Sequence, residues 1–241
     1  MSPVRPIIYI DPDGTATAVP LERFLPTDPA GIMRGWLEHN APRAALLLDP
    51  LGASPRMALE VASAGYRLLT ACNNPVTAFE LRMLAGAPTR EELTSAVVEL
   101  ASQKKGEERL ENAIREMYRT ACASCGEPVQ ASAFLWRRGE PAPHARFYRC
   151  PTCGDSGERP ITDEDVLKVQ QLQRADRLHR SRALERVLGG GSEDRAAVEE
   201  ALSVYPSRPL YVLFTLMNKI EGMSLTGRRR DLLHALMLSV L

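Results

Sequence analysis

Four of the five cysteines fall into two pairs whose spacing suits a metal ion. Cys122 and Cys125 form one CxxC pair, Cys150 and Cys153 form the other, and a glycine follows each pair. Thiolates at positions i and i+3 of a tight turn supply two corners of a tetrahedron, so two such turns complete a zinc site. The alternative is four free or redox-active cysteines. The paired spacing favours one structural zinc ion, Zn2+, bound by all four thiolates.

The segment that carries these pairs predicts a small zinc ribbon. Residues 128–149 alternate as strands do, so we expect each CxxC pair on one of two hairpin-like arms. The arms also carry arginines and aromatics, which could contact the phosphates and bases of a nucleic acid. In the alternative, the aromatics fill a small core and the arginines are solvated. The residues concerned are Trp136, Arg137, Arg138, Arg146, Phe147, Tyr148 and Arg149.

The first hundred or so residues predict an α/β arrangement. Strand-like and helix-like runs alternate along the chain, an order typical of a doubly wound sheet. The continuous apolar run at 44–48 suits a strand that is buried on both faces of a parallel sheet. The expected strands cover 7–10, 44–48 and 66–72, and the expected helices cover 29–40, 55–64 and 75–84.

The rest of the chain predicts helices on both sides of the ribbon. A charged pattern over 89–117 indicates a long helix, in which Gly106 is a candidate break. Thr162 is a candidate N-cap, with three acidic residues in the turn that follows it. The other expected helices cover 162–188, 194–204, 209–221 and 226–241, with a flexible linker at 189–192. We therefore expect an α/β half at 1–105, a zinc-ribbon module with its leading helix at 106–161, and a helical region at 162–241.

Two loops of the α/β half carry a recognisable pattern. The first reads Asp49-Pro50-Leu51-Gly52-Ala53-Ser54 after a buried strand, and the second reads Cys72-Asn73-Asn74-Pro75. They resemble loops of DNA methyltransferases that modify an exocyclic amine of adenine or cytosine. In that family the first loop is D-P-F-x-G-S-G-T, and the second strand ends in an acid followed by x-N-P. One branch has a helix leading into a ribbon with two CxxC pairs, as residues 118–122 do here, and the likeness extends to residues 205–211 and 219–221.

This resemblance implies a partial Rossmann-like sheet that binds S-adenosylmethionine. In the family, a glycine-rich turn approaches the cofactor beside a helix N-terminus, and the acid binds the ribose hydroxyls. Here Ala53 and Pro55 stand at two of the glycine positions, and Cys72 stands at the position of the acid. The alternative is a half that keeps the fold and has lost the ligand. The residues expected to bind the cofactor are Asp49, Pro50, Gly52, Ser54 and Asn74.

The catalytic part of that family has no counterpart in this sequence. Its members hold the flipped base with a D-P-P-Y or N-P-P-Y loop, and no Pro-Pro pair occurs among the 241 residues. The resemblance therefore implies the S-adenosylmethionine-side half of a split or truncated enzyme, not active alone, with DNA as substrate and a second polypeptide carrying the catalytic loop. We assign no catalytic residue. The alternative function is a catalytically inactive zinc-ribbon module that binds DNA or protein.

Composition and charge limit the remaining possibilities. Lysine plus arginine equals aspartate plus glutamate at 30 each, which argues against strong non-specific nucleic-acid binding by the whole surface. No apolar run reaches the length of about 20 residues that a membrane helix needs, and the first residues lack a signal peptide's apolar region. We therefore expect a cytoplasmic protein, of prokaryotic type, with no membrane association.

Arginines recur on two of the expected helices. Those of the first set could line a DNA-facing surface, although such a run is more often a solvated face. The second set, residues 228–230, lies at a helix N-terminus, where positive charge is unfavourable and an anionic partner is one explanation. The first set consists of Arg174, Arg177, Arg180, Arg182 and Arg186.

Overall fold

The computed structural model describes residues 10, 21, 28–52, 54–137, 139–189 and 194–240. Most of the strand expected at 7–10, most of the linker expected at 189–192, Ala53 and Arg138 therefore lie outside the described residues. The chain divides into two compact units. The first unit comprises Met1–Ala96 with Thr226–Leu241, and the second comprises Val97–Leu225.

Helices and strands occur in both units, so the expected mixture of α and β structure is confirmed. In chain order, the elements up to the ribbon are α1 Ile32–Asn40, β1 Leu46–Asp49, α2 Pro55–Ser63, β2 Arg67–Thr70, α3 Pro75–Gly86, α4 Arg90–Ser102, β3 Lys104–Lys105, β4 Glu108–Arg109 and α5 Leu110–Met117. The ribbon and the helices after it are β5 Arg119–Ala121, β6 Pro128–Leu135, β7 Ala145–Arg149, β8 Ser156–Pro160, α6 Asp163–Leu188, α7 Arg195–Ser203, α8 Ser207–Gly222 and α9 Gly227–Val240.

The first unit contains a parallel pair of strands, β1 and β2, joined through α2. Asp49 lies opposite Thr70, so the carboxyl ends of the two strands lie side by side. The expectation that the first strand is buried on both faces is wrong. Leu46, Leu48 and Leu69 are 60–69% exposed, because they alternate with half-buried neighbours and point away from the side that the helices cover.

Local hydrogen bonds explain where the helices of this unit begin. Ser54 caps α2 by accepting from the Met57 amide at 3.2 Å, and a proline follows it at the first helical position. Asn74 caps α3 in the same way, accepting from the Val76 amide at 2.9 Å. The amino end of α1 lacks a side-chain cap of its own. The carboxylate of Glu60, on α2, accepts from its first amides instead.

The long helix expected over 89–117 is interrupted. Helix α4 ends at Ser102, a two-stranded hairpin of β3 and β4 follows, and α5 starts at Leu110. Gly106 is in the turn of this hairpin with a φ of 63°, a left-handed conformation that glycine adopts without strain. The candidate break at Gly106 is therefore a reversal of the chain.

The second unit is built on a four-stranded antiparallel sheet in the order β5-β6-β7-β8. Tyr148 and Val129 form its core together with Cys122 and Cys150. Helices α6, α7 and α8 belong to the same unit, and α6 packs along both α7 and α8. The ribbon and the helix that follows it thus form one compact body.

Candidate metal centre

Two equivalent turns present the four cysteines. In the first turn the Gly126 amide donates to the Cys122 carbonyl at 3.0 Å, and in the second the Gly154 amide donates to the Cys150 carbonyl at 3.1 Å. The two glycines have φ of 76° and 77°, so each turn closes through a left-handed residue after its second cysteine. The glycine that follows each CxxC pair adopts this conformation without strain.

The four sulfur atoms lie together, as the spacing of the cysteines predicts. All four Sγ atoms are within 4.8 Å of one another. Cys122 Sγ is 3.6 Å from Cys153 Sγ, and Cys125 Sγ is 3.7 Å from Cys150 Sγ. These distances exceed a disulfide bond of about 2.0 Å, and all of the cysteines are free thiols. The four cysteines are therefore close enough to hold a metal ion.

The four thiols differ in pKa because they lie close to one another and to different backbone amides. Burial acts to raise the pKa of Cys122, but hydrogen bonds from the Cys125 and Ser124 amides outweigh it and bring the pKa to about 6. The Glu127 amide acts to lower the pKa of Cys125, whereas burial and the neighbouring thiols raise it to about 12. Without a metal, the four groups cannot all be thiolates, because their charges repel. A divalent cation would allow every sulfur to ionise.

A second layer of hydrogen bonds supports the first turn. The Tyr148 hydroxyl accepts from the Ala123 amide at 2.7 Å and donates to the Asp155 carboxylate, also at 2.7 Å. Asp155 forms an ion pair with Arg159, and the hydrogen bonds from Tyr148 and Arg159 lower the pKa of its carboxyl. The turn that follows the second pair therefore fixes the turn of the first pair through one buried tyrosine.

A buried ion pair joins the ribbon to the start of α6. The Arg146 guanidinium lies 2.8 Å from Oδ2 of Asp165, and the Thr120 hydroxyl donates to the same oxygen at 3.0 Å. Asp165 also accepts from the Thr162 amide at 2.9 Å, while Thr162 caps α6 through the Asp165 amide. The Asp165 carboxylate thus contacts strands β5 and β7 and the N-cap residue of α6.

The ribbon divides its arginines and aromatics between its interior and its surface. Arg146 and Tyr148 are buried, so neither can contact a nucleic acid as the sequence allowed. Phe147 is 47% exposed, and Arg149 is exposed on the same face of β7. Arg137 is exposed near the end of β6 and forms an ion pair with Glu140. The alternative of a small aromatic core therefore holds for Tyr148, whereas Phe147 and Arg149 remain available to a partner.

The residues matched to S-adenosylmethionine binding lie along the carboxyl edge of the parallel pair. The Asp49 carboxylate accepts from the amides of Leu51 and Gly52 at 3.1 and 2.9 Å, which folds the loop back on itself. Pro50 lies in this same loop. Ser54 donates to Asp28 and caps α2. The side chains of Asp49 and Ser54 thus have partners within the protein.

The second loop presents a similar arrangement. Asn74 caps α3 with its side-chain oxygen, so this amide is also engaged within the protein. The Cys72 thiol is half-buried, and it donates to the carbonyl of Asn74 at 3.4 Å. A cysteine there supplies no carboxylate for ribose hydroxyls.

Gly52 keeps the two loops in contact. A Cβ on Gly52 would lie 2.4 Å from the Ala71 carbonyl oxygen and 2.7 Å from a methyl carbon of Thr70. Its φ of 53° is also left-handed. The glycine is therefore required by the neighbouring strand of this protein, independently of any ligand.

Several arginines of the expected charged faces have structural partners. Arg180 donates to the carbonyls of Leu202 and Tyr205 at 2.7 Å. Arg186 bonds Asn218 and Glu221, so these two arginines connect α6 to residues 202–221. Arg228 lies 2.8 Å from the Glu92 carboxylate, an interaction within the first unit that offsets its place at a helix N-terminus.

Two buried charged side chains are not predicted by the sequence. Glu80 is fully buried on α3, and Arg208 is 2% exposed with its guanidinium 3.9 Å from the ring centre of Phe134. Nothing in the local sequence distinguishes either from a surface residue. The partnership of Asp165 was partly visible, because Thr162 and Asp165 have the spacing of a capping box.

Comparison with known proteins found no relative of this chain. The chain matches no family model, no curated protein and no solved structure. Among the helices that the structure describes, none combines the length and apolar character needed to cross a membrane.

Proposed function

We propose that the four cysteines hold one structural zinc ion. Tetrahedral zinc with Zn–S bonds of about 2.3 Å places its sulfurs about 3.8 Å apart. The distances of 3.6 Å from Cys122 Sγ to Cys153 Sγ and 3.7 Å from Cys125 Sγ to Cys150 Sγ match this spacing. All four ligand positions come from the protein, which is typical of a structural site and leaves none for a substrate.

The metal can be tested by its stoichiometry. We expect one zinc per chain by elemental analysis, and none after Cys125→Ser. The fifth cysteine offers a matched control, because Cys72 lies outside the four-cysteine cluster and Cys72→Ser should keep the full zinc content. A reduced protein without metal, or equal loss in the two variants, would contradict the proposal.

We further propose that the chain is the S-adenosylmethionine-side part of a DNA methyltransferase that modifies an exocyclic amine. One observation carries this proposal: the unit β1-α2-β2-α3, in which two parallel strands end side by side and each leads into a helix N-terminus. In open α/β sheets, ligands bind at this carboxyl edge. The unit supports the partial Rossmann-like sheet that the sequence suggested.

The open face of the strand pair supports a second polypeptide in this function. Leu46, Leu48 and Leu69 are exposed, whereas parallel sheets are normally covered on both faces. The 241 residues also contain no Pro-Pro pair, so the loop that holds the target base must come from outside them. We expect the chain alone to be inactive.

Cofactor binding can be tested by restoring the missing acid. Cys72→Asp places a carboxylate at the position where the related enzymes bind ribose, so we expect S-adenosylmethionine to bind it at least tenfold more tightly than the native chain. Cys72→Ser is the control and should show no gain. Calorimetry that detects no heat with either the native chain or Cys72→Asp would overturn this proposal.

The second candidate function is a DNA-binding module without catalysis. It is favoured by the exposure of Phe147 and Arg149 on one face of β7. It is also favoured by the hydrogen bonds that the side chains of Asp49, Ser54 and Asn74 make within the protein, because groups bonded in this way are less available to a cofactor. An exposed aromatic can stack on a base while an arginine neutralises a phosphate.

Fluorescence anisotropy with labelled DNA at low salt tests this candidate. Arg149→Ala should weaken binding and reduce the salt slope by about one, and Phe147→Ala should weaken binding to single strands. Arg195→Ala is the control, since Arg195 is an exposed arginine on α7. Binding that is absent, or equally weakened by Arg195→Ala, would exclude the module.

A further inference from the structure

The first unit contains an apolar cavity with a single buried acid. The cavity has a volume of about 310 Å³ and lies among α3, the residues after it, α4 and α9. Leu84, Leu93, Leu232 and Leu236 supply much of its lining. A volume of this size is at the lower limit of ligand-binding pockets, and it corresponds to about ten water-sized groups.

Glu80 is the acid in this cavity. Its side chain is 0% exposed, and both carboxylate oxygens lack a hydrogen-bond partner among the described residues. Buried carboxylates are normally paired, because an isolated charge is costly in an apolar environment. Burial raises the pKa of Glu80 to about 7, so a nearby positive charge would readily ionise the group.

Two arginines of α3 and α9 have contacts with groups other than Glu80. Arg228, at the start of α9, donates to the Gly86 carbonyl at 3.0 Å and to Glu92 at 2.8 Å. The guanidinium of Arg82 lies 5.9 Å from the ring centre of Phe79. Ser239 is the other polar residue in the lining, and its hydroxyl donates to the Leu236 carbonyl at 2.7 Å. Glu80 therefore remains the one acid of the cavity and has no described partner.

We propose that this cavity binds a small cationic amphiphile, an amine joined to an apolar body of about ten non-hydrogen atoms. The ammonium group pairs with Glu80 after the side chains that cover it shift, because neither carboxylate oxygen has accessible surface. The apolar body contacts the leucines of α3, α4 and α9. Because the Glu80 carboxylate is buried, its attraction to the ammonium is stronger than that of a surface ion pair. This site is separate from the proposed cofactor edge and does not depend on methyl transfer.

Octylammonium is a suitable probe because it combines an ammonium group with a short alkyl chain. Calorimetry on the full chain should detect one site at neutral pH. Glu80→Gln keeps the size of the side chain and removes its charge, so we expect at least a tenfold loss of affinity. Glu91→Gln, an exposed acid on α4, should bind as the native chain does. Octanoate, with the opposite charge, should not bind.

A second variant tests the cavity with its acid intact. Ala235 lines the cavity, so Ala235→Leu fills part of it and should also abolish binding. This test does not depend on whether the Glu80→Gln variant folds. The proposal is overturned if the native chain fails to bind octylammonium. It is equally overturned if octan-1-ol binds as tightly as octylammonium, or if Glu80→Gln retains full affinity.

Discussion

Arg146 of the ribbon and Asp165 of helix α6 form an ion pair of 2.8 Å, with their side chains 3% and 1% exposed. The pair connects the sheet that carries the four cysteines to α6, the longest of the described helices. Its partners Thr120 and Thr162 supply additional hydrogen bonds to the same carboxylate oxygen. The ribbon is thus continuous with the helices of its unit through a charged and fully buried contact.

Breaking this pair from one side should be strongly destabilising. Arg146→Ala leaves the Asp165 carboxylate buried without its cation, and we expect a loss of about 3–5 kcal/mol in the free energy of unfolding. Urea titration followed by tryptophan fluorescence measures this loss, in a Trp36→Phe background that leaves the ribbon residue Trp136 as the only tryptophan. The double variant Arg146→Met with Asp165→Leu should be markedly less destabilised than Arg146→Ala. Additive effects of the two changes would show that the side chains do not interact.

The same pair predicts a dependence on pH. Burial acts to raise the pKa of Asp165, but hydrogen bonds from Thr162, Arg146 and Thr120 lower it overall below the usual 3.8. The stabilisation is therefore fully present above that value and is lost as the pH falls through the lower, folded-state pKa. Asp165→Asn should remove this part of the acid transition, measured by circular dichroism between neutral pH and strong acid.

Removal of the proposed zinc ion should unfold the ribbon before the parallel strands. Structural zinc contributes a binding free energy of about 10–16 kcal/mol to the folding of its module. We expect a chelator to remove amide protection from residues 118–160 in hydrogen exchange, while β1 and β2 keep theirs. Cooperative melting of the entire chain on chelation would show that the boundary of the metal-dependent region is wrong.

Two glycines of the first unit should respond differently to alanine. At Gly52 an added Cβ would lie 2.4 Å from a backbone oxygen, whereas at Gly65, which has a φ of 83°, nothing lies within 4 Å. Gly65→Ala should lower the free energy of unfolding by about 1–2 kcal/mol, because alanine is strained in the left-handed conformation. Gly52→Ala should cost more, because the loop must also move away from β2. Equal thermal shifts in the two variants would contradict this close approach.

Glu80 should make the first unit less stable as the pH rises. Its folded-state pKa of about 7 lies above the ordinary 4.5, so between these values the folded chain holds a proton that the unfolded chain releases. Stability therefore decreases across this interval. Glu80→Gln should abolish this decrease. The change in the free energy of unfolding that it causes should therefore be about 2 kcal/mol more favourable at pH 8 than at pH 5. Thermal unfolding at the two pH values provides the measurement, with Glu91→Gln as the control.

The sequence predicted most where the determinants are local. The expected helix at 55–64 and the one at 75–84 correspond to α2 and α3, because a capping residue followed by proline defines each start. The prediction of one long helix over 89–117 was wrong, because helical spacing alone could not show that the chain reverses at Gly106. The proposed cofactor role of Asp49, Pro50, Gly52, Ser54 and Asn74 stays a prediction.

By itself, the sequence determined that four cysteines would meet. A CxxC turn fixes its own conformation within five residues, and the two strands between the pairs bring both turns to one end of a small sheet. The tertiary structure decided what depends on contacts between distant residues. It buried Arg146 against Asp165, left Phe147 exposed beside it in the chain, and enclosed Glu80 without a partner. Arg146 is buried and Arg149 is exposed on the same strand. Their environments differ because burial and charge pairing are set by neighbours far away in sequence.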